Sequence, residues 1–139
     1  MTLFLRGFLM CAVVLMPNWA GAWRAINQHE VFDVAPGVFE VVSRVGAGPS
    51  DYWCGAGDYV RRSIGAASNQ RIYLYKAIGP SVARPGKKAV QFALSPPPGG
   101  AIEPGLTLSV TATGDRLSAA FAHQYCYGDD PFDPFRLKP

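Results

Sequence analysis

Hydrophobic residues alternate with polar ones over much of this chain, and the alternation is clearest at residues 106–113. There Leu106, Leu108, Val110 and Ala112 alternate with Thr107, Ser109, Thr111 and Thr113. This is the period-2 pattern of a strand with one buried and one wet face. Similar runs predict strands at 29–34 and 38–45, separated by the turn signal Ala35-Pro36-Gly37. In the second run Phe39, Val41 and Val45 fall on one side, and Glu40 and Arg44 on the other. Further strands are expected at 71–77, with Ile72 and Leu74 on one side and Arg71, Tyr73 and Tyr75 on the other, and at 90–94, where Val90, Phe92 and Leu94 alternate with Gln91 and Ala93. The proline- and glycine-rich run 95–105 predicts an irregular surface loop, because prolines cannot donate to a ladder or continue a helix.

One stretch, 49–65, has helical spacing. Trp53, Ala56, Val60 and Ile64 form a stripe widened by Tyr52 and Tyr59. Ser50 is the expected N-cap, Asp51 suits the positive end of the helix dipole, Arg61 and Arg62 suit its negative end, and Gly65 suits a left-handed C-terminal position. Gly55 and Gly57 each weaken a helix by about 1 kcal/mol relative to Ala, but they also admit a close backbone neighbour. At 100° per residue Cys54 lies on the flank shared by Asp58 and Arg61, so a partner is expected from the side of the helix. Residues 117–127 fit two patterns. Leu117, Ala119 and Phe121 suit a strand, and Leu117, Ala120, Phe121 and Gln124 suit a helix. The strand is preferred, because Gly114-Asp115 reads as a hairpin turn after a strong strand.

The expected order is β-β-α-β-β-β-β. It predicts an α+β fold, a single antiparallel β-sheet with one main helix packed on one face.

Residues 1–22 read as a secretory signal peptide. Arg6 supplies the positive start, residues 8–16 an apolar core ended by Pro17, and Ala20-Gly21-Ala22 a cleavage site. A run this short falls below the roughly 20 residues of a membrane-spanning helix. Cleavage leaves about 117 residues, enough for one globular α+β domain at 23–128 followed by an extended tail at 129–139. No membrane span is expected after cleavage, and the localisation expected is periplasmic or extracellular. The formal charge of +3 is too small and too scattered for a nucleic-acid surface.

Export changes how the cysteines are read. Cys54 and Cys126 remain after cleavage, and in an oxidising compartment such a pair is expected to form a disulfide. An alternative takes Cys54, His123 and Cys126, with His29 as a possible fourth ligand, as a metal set. Trp53-Cys54-Gly55 has the start of a thioredoxin-type site, but Gly57 stands where the second cysteine is needed. The sequence has no nucleophile elbow, phosphate loop or dinucleotide motif, so no catalytic residue and no cofactor is assigned. Arg71, Tyr73 and Tyr75, with Lys76, form a candidate binding face for an anionic, carbohydrate or protein ligand, with ordinary cross-strand packing as the alternative. Asp130-Pro131-Phe132 and Asp133-Pro134-Phe135 form a short tandem suited to docking on the protein's own surface or on a partner.

The Ala-Gly-Ala export signal, the Asp51-Tyr52-Trp53-Cys54 helix start, the Gly79-Pro80 and Arg84-Pro85-Gly86 connection and the late single cysteine together resemble small exported proteins of Gram-negative, alphaproteobacterial type. The resemblance covers most of the mature chain and implies no activity. The expected role is a non-catalytic binding or structural module for a protein or envelope component. The alternative is a small periplasmic hydrolase or metal-dependent enzyme.

Overall fold

A computed structural model describes residues 21–128. Residues 1–20, where a signal peptide is expected, and residues 129–139, with the Asp-Pro-Phe tandem, lie outside the described residues. The chain forms β1 (Trp23–Arg24), β2 (Glu30–Ala35), β3 (Val38–Val42) and α1 (Pro49–Asp58), which continues as a π-helical segment, Tyr59–Ile64. Then follow β4 (Arg71–Pro80), β5 (Lys88–Ala93), β6 (Arg116–Ser118) and a short α2 (Ala119–Gln124).

The six strands make one sheet in the order β1-β2-β3-β5-β4-β6, with every neighbouring pair antiparallel. Because β3 and β4 both run antiparallel to β5, they run parallel to each other. The helical connection is therefore a crossover, with β5 inserted between the strands it joins. This places α1 across the middle of the sheet.

Alternation along the strands sends Phe39, Val41, Ile72, Leu74, Val90 and Phe92 to one face, where they meet Trp53, Ala56 and Val60 of the main helix and Ala119 and Ala122 of α2. Phe92 is central. The Trp53 ring meets it edge-on at 4.9 Å between centroids, and Phe39 stacks on its other side at 6.1 Å. Gly55 and Gly57 explain how the layers approach so closely. A Cβ on Gly55 would come within 2.8 Å of Val41, and one on Gly57 within 2.7 Å of the Ala122 carbonyl carbon. The backbone of α2 thus lies directly on Gly57.

The main helix stands where its pattern predicts, with changes at both ends. Its N-cap is Gly48 and not Ser50. Pro49 occupies the first helical position, where its missing N–H is no loss, and the Asp51 carboxylate accepts the Gly48 N–H at 2.9 Å. Ile64, expected on the buried stripe, is 45% exposed. The wider π-helical turn after Asp58 rotates it off that stripe. Gly65 does close the helix in the left-handed region, at φ 74°.

Two other expectations are corrected. Residues 106–113 form no strand despite their alternation. The Ser109 hydroxyl accepts the N–H groups of Thr111 and Ala112, each at 3.0 Å, a local turn that competes with a ladder. The segment is anchored at single points instead, Trp53 Nε1 donating to the Ser109 carbonyl at 2.7 Å and the Ile78 N–H to that of Val110 at 2.9 Å. The place beside β4 is taken by β6 and by Gly114 and Asp115, which exchange bonds with Leu74. Residues 117–127, read as a strand by preference, pair only as far as Ser118 and then turn into α2. Ser118 caps this helix, its hydroxyl accepting the Phe121 N–H at 3.2 Å. The order therefore gains β1 and α2 and loses one strand, while the α+β class stands.

Candidate functional site

The two cysteines are joined. Cys54 and Cys126 form a disulfide with their Cα atoms 4.8 Å apart. The partner reaches Cys54 from the side of the helix, on a flank that is buried along with the rest of Tyr52 through Asp58. α2 covers that flank and brings Cys126 to it. With both sulfurs in the bond, the alternative set of Cys54, His123 and Cys126 has no thiolate to offer a metal. His29 is buried, packs near Gly55 and bonds the Val42 carbonyl through Nδ1 at 2.7 Å. Burial holds its pKa below the ordinary 6.5 by disfavouring the imidazolium.

Beside the disulfide lies a polar cluster that the sequence reading did not assemble. The Asp58 side chain is fully buried. It accepts the Ile26 N–H at 2.8 Å, Nη2 of Arg62 at 2.7 Å with Nε of the same residue on its other oxygen, and Nε2 of His123 at 3.1 Å. Burial alone would raise the Asp58 pKa. The Arg62 fork, the Ile26 amide and the nearby His123 outweigh it and hold the carboxyl below its ordinary value. The Arg62 guanidinium lies 5.2 Å from the centre of the Trp23 ring, and Tyr127 packs edge-on to His123 at 5.4 Å. Nδ1 of His123 has no partner among the described residues. The i,i+4 spacing of Asp58 and Arg62 was the available signal for part of this cluster. His123 joins it only because α2 folds back.

The opposite face of the sheet has a different character. Glu40, expected on a wet face, is fully buried. Its carboxylate accepts the Ser81 hydroxyl at 2.6 Å and the N–H groups of Val82 and Ala83 at 3.1 and 2.8 Å. These bonds clasp the β4–β5 loop over a small second core of Phe32, Val42 and Ala89. Arg84 of the same loop pairs with Glu30 at 2.7 Å and lies over the Phe32 ring.

Beyond that clasp the face is open, and here lie Arg71, Tyr73 and Tyr75. Tyr73 and Tyr75 are half-buried, while Arg71 and Lys76 are exposed. The register of β4 shifts between Leu74 and Lys76, so that Tyr75 and Lys76 together oppose the single Gln91. Such a bulge turns adjacent side chains to one side. On the other edge of β4, Arg116 stands opposite Tyr73 and Ser118 opposite Arg71. The fold therefore brings Arg71, Tyr73, Tyr75 and Lys76 together on one face and adds Arg116, a residue the sequence reading did not include. Its contribution depends on the β4–β6 pairing, which sequence spacing does not show.

A third feature is a shallow open groove of about 560 Å³ lined by Asp33, Ala35, Pro36, Gly37, Tyr59 and Ile64. The Tyr59 hydroxyl donates to Asp33 at 2.7 Å. Burial and that carboxylate raise the Tyr59 pKa, so the phenol stays protonated.

Among the described residues, no helix is long and apolar enough to cross a membrane. Comparison with protein-family models, curated proteins and solved structures finds no match for this chain.

Proposed function

We propose that this chain is an exported, disulfide-linked binding module of the periplasm or envelope, of the Gram-negative, alphaproteobacterial kind its motifs resemble. Its binding surface is the open half of the sheet face around Tyr73 and Tyr75, and its role is non-catalytic capture of a protein or envelope component. The observation that carries this reading is the β4 bulge. It groups Tyr75 and Lys76 opposite Gln91, next to Tyr73, Arg71 and Arg116, on a face the helices leave uncovered. Tyrosine and arginine suit such a surface because they combine apolar area with hydrogen-bonding tips. The experiment is retention of envelope components from a native extract by immobilised chain. Wild type should retain a defined component, and Tyr73→Ala plus Tyr75→Ala should not. Equal retention by both would remove this face from the account.

The Asp58–His123 pair favours a second reading, a small periplasmic hydrolase. A buried carboxylate on one imidazole nitrogen orients the ring for acid–base work by the other. No nucleophile is placed beside it among the described hydrogen bonds, which is why it ranks second. Turnover of ester or amide substrates that disappears in His123→Ala, with the fold intact, would reverse the ranking.

A further inference from the structure

Most described arginines have a partner for their side chain. Arg24 and Arg84 pair with Glu30, Arg62 pairs with Asp58, and Arg44 and Arg61 bond the carbonyls of Asn27 and Ala66. Arg71 and Arg116 have none among the described residues, and the fold makes them neighbours on one face of the sheet. Arg116 stands opposite Tyr73, and Ser118 opposite Arg71. The two arginines are therefore diagonal neighbours, a register that sets Cβ atoms about 7–8 Å apart. The nearest acids are engaged elsewhere. Asp115 is 5% exposed, and its carboxylate accepts the backbone N–H of Arg116 at 2.8 Å. Glu40, on the same face, is buried beneath the β4–β5 loop that it binds.

Lys76 is exposed and also has no ion pair among the described residues. It follows Arg71 by five positions along β4, a separation of roughly 16 Å at the rise of a strand. Tyr73 and Tyr75 stand between them. Neither tyrosine belongs to the two cores, and neither hydroxyl has a partner among the described residues. Along β4 the order is thus cation, ring, ring, cation, with a second cation beside the first.

That order selects a ligand. Two guanidinium groups at this spacing can hold one anionic group between them, because each is a planar fork suited to carboxylate or phosphate. Each tyrosine offers an apolar ring face and a polar tip, which matches a sugar ring with C–H groups on its flat side and hydroxyls at its rim. Lys76 lies beyond the span of a small anion held by the arginines, so it needs a second acid group. An inorganic anion meets only the arginines, and a neutral glycan meets only the rings. An extended acidic peptide sends successive side chains to opposite sides and presents no flat C–H face to both rings.

Resting on the reading that this face is the binding surface, we infer that its ligand is an acidic oligosaccharide. One acid group lies between Arg71 and Arg116, the sugar rings lie on Tyr73 and Tyr75, and a further acid group meets Lys76.

The test is a nuclear magnetic resonance titration of the isotope-labelled full chain with two probes, tetragalacturonate and a disaccharide carrying a phosphate at each end. These distinguish a carboxylate from a phosphate source. The same sugars without acid groups and a glutamate-rich peptide serve as comparisons. At least one acidic sugar should shift the amides of Arg71 to Lys76 and of Arg116, and bind at least tenfold more tightly than its neutral counterpart. Its affinity should fall as salt is raised. Arg71→Gln plus Arg116→Gln should weaken it about tenfold with the thermal midpoint within a few degrees. Equal binding of the neutral sugars, tighter binding of the peptide, shifts confined to other parts of the chain, or no binding of either acidic sugar would each overturn the inference. If neither acidic sugar binds while Tyr73→Ala plus Tyr75→Ala still abolishes retention from the envelope extract, this inference falls and the binding face stands. If neither binds and retention is equal in wild type and variant, both fall.

Discussion

Each face of the sheet buries a carboxylate completely, and the two faces satisfy it by different means. On the helical face Asp58 is met by a guanidinium, an imidazole and one backbone N–H, drawn from the main helix, α2 and the turn after β1. On the other face Glu40 is met by a hydroxyl and two backbone N–H groups, all from one loop. Asp58 therefore ties distant elements together, whereas Glu40 fastens a single lid. The helical face also carries the disulfide and the close approach of α2 to Gly57. The face with the lid is closed on one half and open on the other. The cross-links between distant elements are thus concentrated on one side of the sheet, and the surface proposed to bind lies on the other.

The sharpest way to break this contrast is to remove the cross-link. Cys54→Ala plus Cys126→Ala frees a loop spanning 72 residues in sequence, for which chain entropy predicts a loss of about 4 kcal/mol. Chemical denaturation should show that loss as a lower midpoint. A loss below about 1 kcal/mol would mean that α2 is held by packing alone.

The two acids come next, because they measure the contrast directly. Asp58→Ala strands the Ile26 N–H and releases Arg62 and His123, and should cost about 3 kcal/mol of global stability. Glu40→Gln should cost roughly 1–2 kcal/mol. Its larger effect should be local, seen as faster hydrogen exchange at Val82 and Ala83. Equal global losses from the two would erase the distinction between a tie and a lid.

Titration adds a smaller, signed effect. His29 is held neutral by burial, so below its ordinary 6.5 the unfolded chain takes up a proton that the fold refuses. Stability should therefore fall as pH drops through that region and be full above it. Asp58, held ionised, adds a second loss that begins below its ordinary 3.8. Thermal midpoints between pH 7 and 5 should show the first fall in wild type and a flatter line in His29→Gln. A midpoint that rises on acidification would contradict the assigned state of His29.

How much of this was legible in the sequence depends on whether a feature was local. The main helix, its glycine stop and the Cys54–Cys126 bond were legible, because helical spacing, a C-terminal glycine and a cysteine count need no knowledge of neighbours. The strand expected at 106–113 was not, because Ser109 turns the chain locally and the position beside β4 is already filled. That error carried into 117–127, where the hairpin argument assumed the missing strand. Glu40 was misplaced for a related reason. Alternation puts Glu40 on the polar side of its strand, and only the returning β4–β5 loop makes that side an interior. The grouping of Arg71, Tyr73 and Tyr75 followed from alternation, whereas the bulge and Arg116 arise from register, which a single strand cannot report.

The division between a stabilising face and a binding face is tested most directly by measuring the thermal midpoint and envelope-component retention together in one variant, Arg71→Glu with Tyr75→Ala and Lys76→Glu. Two of these residues are exposed and one half-buried, so the midpoint should move by only a few degrees. Retention should fall to background. A midpoint that collapses, or retention that persists with the fold intact, would contradict the division.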